Sequence, residues 1–326
     1  MIYEKSYNTV QSFDCINACV LNYLQYYNKP ILGSDIFFVG GGFAISYEKN
    51  QKLYIGSKVY KTNFVFLDKM NIKYERDNSQ DGNSALKLIE HCIKNEKCIC
   101  IRVASEVLEH SPVFKQTEGS SHYINIIGKN EINSRFYISD GYVPTYNPSI
   151  FEGWADCKEI MEAWNRMDYE YIVFDIDNIK IDISNIQRMA HKNLKLNLIN
   201  YLYPNDTNCN CKLFGEYAVK ILFQDIQAMF ESRDISNIIM DINYQLKIFG
   251  FLTSKKFILE KIRKTFMDSG LCMDYDEIIN RWNKLCLLLV KAGLSKDKAR
   301  YNFVLVKTHE LIHDERDILL KVISML

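Results

Sequence analysis

The hydrophobic pattern changes near residue 183, and this change constrains the fold more than any other feature of the chain. Before it, short segments rich in β-branched and aromatic residues alternate with helical segments, near residues 98–103, 123–127, 135–139 and 171–176. After it, apolar residues recur at helical spacing. Breaks in this spacing are predicted at 203–206, near Gly250, at 268–270 and at 292–293. The pattern predicts an α+β protein, with a domain containing an antiparallel sheet at 1–183 and a mainly α-helical domain at 184–326.

Composition excludes several classes of partner. The 40 basic and 40 acidic residues cancel, so no net field attracts nucleic acid or an anionic membrane. The N-terminus lacks an apolar signal segment, and apolar stretches such as 285–290 are too short to span a bilayer. We therefore expect a cytoplasmic protein with no nucleic-acid or membrane partner. Its 10 cysteines are irregularly spaced, which favours reduced thiols, although Cys209 and Cys211 remain open as an adventitious metal pair.

Cys15 is the candidate nucleophile. Apolar residues at helical spacing predict a helix from Ile16 to about Tyr27, and Ser12 or Asp14 can cap its start. The unsatisfied N–H groups of a helix start carry partial positive charge, which favours a thiolate at Cys15. The local pattern alone also fits a small buried core residue.

A histidine and an aspartate follow in two strand-like runs that flank a polar turn centred near Glu131. A hairpin symmetric about Glu131 would set His122 directly opposite Asp140, with Cβ atoms about 4.5–5.5 Å apart. A carboxylate at that distance can orient an imidazole and stabilise its protonated form. The spacing therefore predicts a triad of Cys15, His122 and Asp140. The alternative is that His122 merely ends a strand and Asp140 begins the turn at Gly141.

Three runs, DCINACVLNYLQYYNKPILGSDIFFVGGGFAISY, CICIRVASEVLEHSP and SHYINIIGKNEINSRFYISDGYVP, resemble the family of butirosin biosynthesis protein H. Two later runs, GEYAVKILFQDIQ and IINRWNKLCLLLVKAGL, are similar to the helical domain of that family. The resemblance implies a papain-like, C39-peptidase-related domain with Cys15 as nucleophile, His122 as base and Asp140 as orienting acid. Papain-like enzymes commonly place an oxyanion-hole glutamine six residues before the cysteine. Gln11 stands only four before Cys15, so the backbone N–H of Cys15 is the better candidate donor.

The resemblance also implies an activity. The family pattern favours a cysteine-dependent acyltransferase that makes an amide in specialised metabolite, antibiotic-like biosynthesis. Its acyl donor would be a thioester on the phosphopantetheine of an acyl or peptidyl carrier protein, its acceptor a small-molecule amine, and it would bind no cofactor of its own. A C39-like peptidase or thioesterase would use the same residues with water as acceptor. A ligand-binding protein that retains a papain-like fold is the non-enzymatic alternative.

Two further motifs are of kinds that bind ligands or metals in other proteins. The glycines at 40–42 lack the lysine of a P-loop and predict a tight loop that lets backbone approach a neighbour or substrate, so they are candidate substrate-binding residues. His309 and His313 fit the zinc motif HExxH. However, Arg316 and Leu319 stand where the metzincin extension requires glycine and histidine. The sequence therefore predicts no metal site.

Overall fold

A computed structural model describes residues 8–49, 53–57, 59–116, 119–145, 149–175, 181–204, 212–248, 250–266 and 268–326. The described helices are α1 (Cys15–Tyr26), α2 (Gly33–Val39), α3 (Val59–Lys69), α4 (Gly82–Lys94), α5 (Cys157–Asn165), α6 (Ile183–Leu202), α7 (Gly215–Ala228), α8 (Ile235–Ile248), α9 (Phe251–Phe266), α10 (Ser269–Ser295) and α11 (Lys298–Met325). The described strands are β1 (Ser46–Lys49), β2 (Leu53–Gly56), β3 (Lys73–Asn78), β4 (Ile99–Ala104), β5 (Ser121–Asn130), β6 (Arg135–Val143), β7 (Ser149–Asp156), β8 (Glu170–Asp175) and β9 (Lys212–Phe214).

The chain divides into two compact units. The first contains the residues up to Ile36 together with Asn63–Ile183, and the second contains Phe37–Thr62 together with Ser184–Leu326. The change of pattern near residue 183 therefore coincides with a boundary, but residues 37–62 group with the helical part. The reason is strand pairing, because β1 pairs with both β2 and β9.

The first unit is built on a six-stranded sheet in the order β3-β8-β4-β5-β6-β7, with every neighbouring pair antiparallel. Helix α1 packs on β5 and β6, while α4 packs on β5 and α5 on β4. Buried apolar side chains of α4, α5 and the central strands form a core. Its members include Ile89, Ile93, Ile101, Ile124, Ile126, Phe136, Ile138 and Trp164. Together with the helical second unit, this antiparallel sheet makes an α+β protein, as predicted.

The β5–β6 hairpin differs in register from the symmetric one that the sequence predicts. Asn130 pairs with Arg135 beside the turn, and a bulge between Ile126 and Gly128 then shifts the pairing, so that Asn125 pairs with Ser139. Continued in that register, Tyr142 rather than Asp140 would face His122. His122 and Asp140 are therefore diagonal neighbours and not directly opposed, and the side chains of diagonal neighbours can still reach each other.

The second unit combines the three-stranded sheet β2-β1-β9 with α6–α11. Helix α7 packs on β1, α8 packs on β2, and α10 packs on α8, α9 and α11. The break predicted at 292–293 is wrong, because α10 continues to Ser295 and ends with Lys296 in the left-handed region. Gly293 instead lies at a close helix contact, where a Cβ would meet Ile239 at 2.8 Å.

None of the helices in the described part of the chain has both the length and the apolar character needed to cross a membrane.

Candidate active site

Cys15 is the first residue of α1, and its position is held by a buried polar network. Asp14 is the N-cap, and its side chain accepts the N–H of Asn17 at 2.9 Å. The hydroxyl of Ser12 donates to Asn17 Oδ1 at 2.6 Å, and Asn17 Nδ2 donates to Asn63 Oδ1 at 3.1 Å. These bonds anchor the turn before the helix, so the backbone that carries the thiol is pre-set.

The sulfur of Cys15 lies beside strand β5. The N–H of Tyr123 donates a hydrogen bond to the Cys15 thiol. Since the pairing of β5 with β6 ends at Asn125 and Ser139, β6 does not compete for that N–H. His122 is the residue before Tyr123, so its imidazole begins next to the peptide that binds the sulfur. Within the described residues the thiol makes no hydrogen bond to that imidazole, and such bonds often tighten only when substrate binds.

The charge environment of Cys15 opposes ionisation. Burial raises the pKa of the Cys15 thiol well above its ordinary value, and the negative charges of Asp14 and Asp140 raise it further. The hydrogen bond from Tyr123 acts in the opposite direction but is outweighed. A helix N-terminus was expected to favour the thiolate, but the carboxylate of Asp14 caps that same terminus. The resting residue is therefore a neutral thiol that needs a base.

His122 and Asp140 are hydrogen-bonded. Nε2 of His122 donates to Oδ2 of Asp140 at 2.9 Å, and their side chains are 5% and 1% exposed. The other carboxylate oxygen, Oδ1, accepts the N–H of Tyr142 at 3.0 Å. With Nε2 engaged, Nδ1 is the ring atom of His122 that remains to exchange a proton with a thiol or an amine.

A second histidine, His110, binds the same oxygen, and the sequence analysis missed it. Nε2 of His110 donates to Oδ2 of Asp140 at 3.0 Å, and the side chain is 3% exposed. Its ring stacks on Phe151 at 4.6 Å between centroids and meets Phe114 edge-on at 5.0 Å. The available sequence signal was its place in the loop after β4, the strand that pairs with the beginning of β5.

Asp140 is ionised in this setting. Burial acts to raise the pKa of Asp140, but the positive charge of His122 and the hydrogen bonds from both imidazoles bring it below its ordinary value. An ionised carboxylate can only accept hydrogen bonds, so both histidines must present Nε2–H to it. This bonding leaves Nδ1 as the unprotonated nitrogen of either ring whenever that ring is neutral.

Gly141 lets the strand that carries Asp140 approach helix α1 closely. A Cβ on Gly141 would lie 2.6 Å from both Asn22 Nδ2 and the carbonyl oxygen of Val10. The N–H of Ser12 donates to the carbonyl of Gly141 at 2.9 Å. The helix that begins at Cys15 and the strand that carries Asp140 are therefore in direct contact.

The two candidate oxyanion donors differ in their placement. The first intrahelical bond runs from Ala18 N–H to Asp14 O at 2.8 Å. The N–H of Cys15 therefore belongs to the helix-start amides that have no intrahelical partner. Gln11 is exposed and makes no hydrogen bond to the described residues. The geometry favours the backbone of Cys15 over Gln11 as a donor.

The glycines at 40–42 belong to the second unit, where they pack against the protein itself. A Cβ on Gly40 would lie 2.0 Å from the carbonyl oxygen of Thr62, and one on Gly42 would lie 2.4 Å from the ring of Phe37. Gly41 has φ +80°, which favours glycine. These contacts explain the three glycines as a tight turn after α2, and a role in substrate binding stays a prediction.

The HExxH motif lies on α11 with His309, Glu310 and His313 all exposed. Among the residues that the structure describes, no group of three or more histidine, cysteine, aspartate or glutamate side chains is arranged to hold a metal ion. Cys209 and Cys211 lie outside the described residues.

Comparison with known proteins adds little to this geometry. The chain matches no protein-family model and no curated protein. Among solved structures it is similar to a Bacillus anthracis protein described as a candidate C39-like peptidase, with a TM-score of 0.37 and 10% identity. The similarity covers 55% of this chain and 98% of that one. A likeness at this level does not indicate an activity.

Proposed function

We propose that this protein is a cysteine-dependent acyltransferase that forms an amide through an acyl-Cys15 intermediate. One observation carries the proposal: His122 is held by the buried, ionised Asp140 and begins at the peptide that binds the Cys15 sulfur. Nucleophile, base and orienting carboxylate in that order are the parts of a papain-like cysteine enzyme.

The first half-reaction acylates Cys15. Nδ1 of His122 takes the thiol proton as the sulfur attacks the carbonyl carbon of a thioester, and the carbonyl oxygen becomes an oxyanion next to the N–H of Cys15. The bond from that carbon to the donor sulfur then breaks. The leaving thiolate recovers the proton from His122, and the acyl group stays on Cys15.

The second half-reaction transfers the acyl group. A neutral amine attacks the acyl-Cys15 carbonyl and gives one proton to His122. Collapse of the tetrahedral intermediate breaks the carbon–sulfur bond, and His122 returns the proton to the Cys15 sulfur. Asp140 keeps the imidazole in one tautomer and orientation throughout and stabilises its protonated form.

The choice of donor and acceptor rests on the resemblance to the family of butirosin biosynthesis protein H. It supports a thioester on the phosphopantetheine of an acyl or peptidyl carrier protein as donor, and a small-molecule amine as acceptor. Exchange between a thiolate and a thioester is chemically mild, so the main requirement at Cys15 is removal of the thiol proton, which is the role proposed for His122.

Intact-protein mass spectrometry tests the proposal. The protein is incubated with an acyl N-acetylcysteamine thioester, which reproduces the phosphopantetheine terminus, or with an acyl carrier protein bearing the same group. Putrescine or an aminoglycoside is then added. We expect a single acyl adduct on the wild type and on Cys157→Ala, which removes another partly exposed thiol. Cys15→Ala should show no adduct.

The fate of the adduct separates the alternatives. Release that depends on amine, with an amide as product, supports transfer. Rapid release in buffer as the free acid would instead make the protein a thioesterase or peptidase. An adduct that persists in Cys15→Ala, or no adduct from either donor, would reject the proposed nucleophile.

A further inference from the structure

Oδ2 of Asp140 is shared by two imidazoles. It accepts Nε2–H of His122 at 2.9 Å and Nε2–H of His110 at 3.0 Å. A triad needs only one of these bonds. The second costs the burial of another polar ring, because the His110 side chain is 3% exposed.

His110 is placed so that it cannot exchange protons with a substrate directly. Its Nδ1 is buried and has no hydrogen-bond partner among the described residues. Its ring lies between Phe151 and Phe114, which belong to or pack against the apolar core. The hydrogen-bonded route from His110 to the chemistry is its bond to Asp140. Phe114 also packs against His122, with 5.0 Å between ring centroids, and an aromatic ring at position 110 keeps that packing in place.

A shared carboxylate oxygen interacts more weakly with each donor than an unshared one. Part of the negative charge of Asp140 is engaged by the hydrogen bond from His110, so Asp140 stabilises a protonated His122 less than it would without His110. The ion pair between a Cys15 thiolate and a protonated His122 is therefore less favoured. This agrees with the neutral resting thiol. It also leaves His122 better able to accept a proton from the attacking amine.

We propose that His110 is a positioning residue that shares Asp140 with His122 and so limits how strongly this carboxylate holds His122 in its protonated form. The inference rests on the proposed role of His122 as the base for Cys15. In this role His110 disfavours ionisation of the Cys15 thiol and favours transfer of a proton from the attacking amine to His122.

Other charged groups face these rings. Glu159 of α5 interacts electrostatically with His110, and Asp14 at the start of α1 interacts with His122. The variants below leave both carboxylates in place. A change in pH dependence would therefore report on the bond between His110 and Asp140.

Two variants of His110 isolate that bond. His110→Phe keeps an aromatic ring between Phe151 and Phe114 but removes the N–H. His110→Gln can place an amide N–H near the former Nε2. For each variant, the rate at which iodoacetamide labels Cys15 is measured by intact-protein mass spectrometry as a function of pH. The rate of aminolysis of the acyl-enzyme is measured over the same pH range.

His110→Phe should shift the two profiles in opposite directions. We expect the pH midpoint of labelling to fall by about one unit, because the pair of Cys15 thiolate and protonated His122 is stabilised. At a fixed pH below the midpoint, labelling should be about tenfold faster. The acidic limb of aminolysis should move to higher pH, because a protonated His122 cannot accept the amine's proton. His110→Gln should restore both profiles toward the wild type.

Unchanged midpoints in His110→Phe, or equal shifts in His110→Gln, would overturn the inference and leave His110 a packing residue. If His110→Phe does not fold, His110→Asn serves instead, because its shorter side chain cannot place an N–H at the Nε2 position. Labelling needs no acyl donor, so a shifted labelling midpoint in a protein that transfers no acyl group would refute the proposed function and leave the role of His110 standing.

Discussion

Replacing Gly141 with alanine tests whether the contact between α1 and β6 builds the active site. The added Cβ would lie 2.6 Å from Asn22 Nδ2, 2.6 Å from Val10 O and 3.0 Å from Ala18 Cβ, whereas ordinary contacts begin at 3.4 Å. The strand must therefore retreat from the helix by about 0.8 Å, the shortfall in the two tightest contacts.

This retreat has a cost in stability and a larger one in activity. Overpacking costs about 1–3 kcal/mol, and the strained bond between Ser12 N–H and the Gly141 carbonyl adds about 0.5–1.5 kcal/mol if it breaks. Asp140 is the preceding residue and moves with the strand. A displacement of roughly 1 Å can lower the rate of a positioned reaction about 10²-fold.

Urea unfolding and the rate of acyl transfer measure the two effects separately. Gly82→Ala in α4 is the matched control. The nearest atom to its added Cβ would be the hydroxyl oxygen of Tyr169 at 3.0 Å, and this oxygen lies at the end of a side chain that can move aside. We expect Gly141→Ala to lose about 1.5–4.5 kcal/mol of unfolding free energy and to transfer acyl groups about 10²-fold more slowly. Wild-type stability and rate in Gly141→Ala would refute the argument that this close approach sets the site.

Three further predictions follow from charge. Asp14→Asn keeps an N-cap but removes a negative charge that raises the pKa of Cys15, so iodoacetamide labelling at pH of about 8 should speed up about 3- to 10-fold, and an unchanged rate would contradict this. Asp140→Asn should slow acyl transfer about 10²- to 10⁴-fold. The lowered pKa of Asp140 means that its carboxylate stabilises the folded state fully above about pH 4, and that this stabilisation is lost as the pH falls. Asp140→Asn has no such carboxylate. In urea titrations its unfolding free energy should therefore fall less between about pH 4 and pH 2 than that of the wild type. In the second unit, Lys255→Met leaves the buried Glu315 without its cationic partner at 2.5 Å and should cost about 3–5 kcal/mol of unfolding free energy. Adding Glu315→Gln should recover part of this loss, because the amide carries no charge but keeps an acceptor oxygen for the Trp282 N–H and the Tyr275 hydroxyl.

Local chemistry made several elements readable from the sequence. Asp14 predicts the start of α1 because its side chain can cap the first turn, and the helix begins at the next residue. The strand-like runs near 98–103 and 135–139 became β4 and β6 because β-branched and aromatic side chains suit a half-buried pleated surface. These features depend on neighbours within a few positions along the chain.

The pairing of His122 with Asp140 depended on more than local pattern. Beside the turn, Asn130 pairs with Arg135, and if that register continued, Asp140 would lie on the opposite face of the sheet from His122. The bulge between Ile126 and Gly128 shifts the register by one residue and returns both side chains to one face. His122 and Asp140 are hydrogen-bonded as predicted, but through a bulge that the sequence did not predict.

Local sequence was enough to place α1, β4, β5 and β6 and to single out Cys15, His122 and Asp140 by residue type, because capping and side-chain period act over short distances. The bond of His110 to Asp140 depends on tertiary structure, because the pairing of β4 with β5 and of β5 with β6 brings the segment after β4 beside Asp140. Tertiary structure also decided that the pKa of the Cys15 thiol is raised, because burial and the negative charges of Asp14 and Asp140 outweigh the hydrogen bond from the Tyr123 N–H. Long-range packing sets these distances and charges, and no local run of residues encodes them.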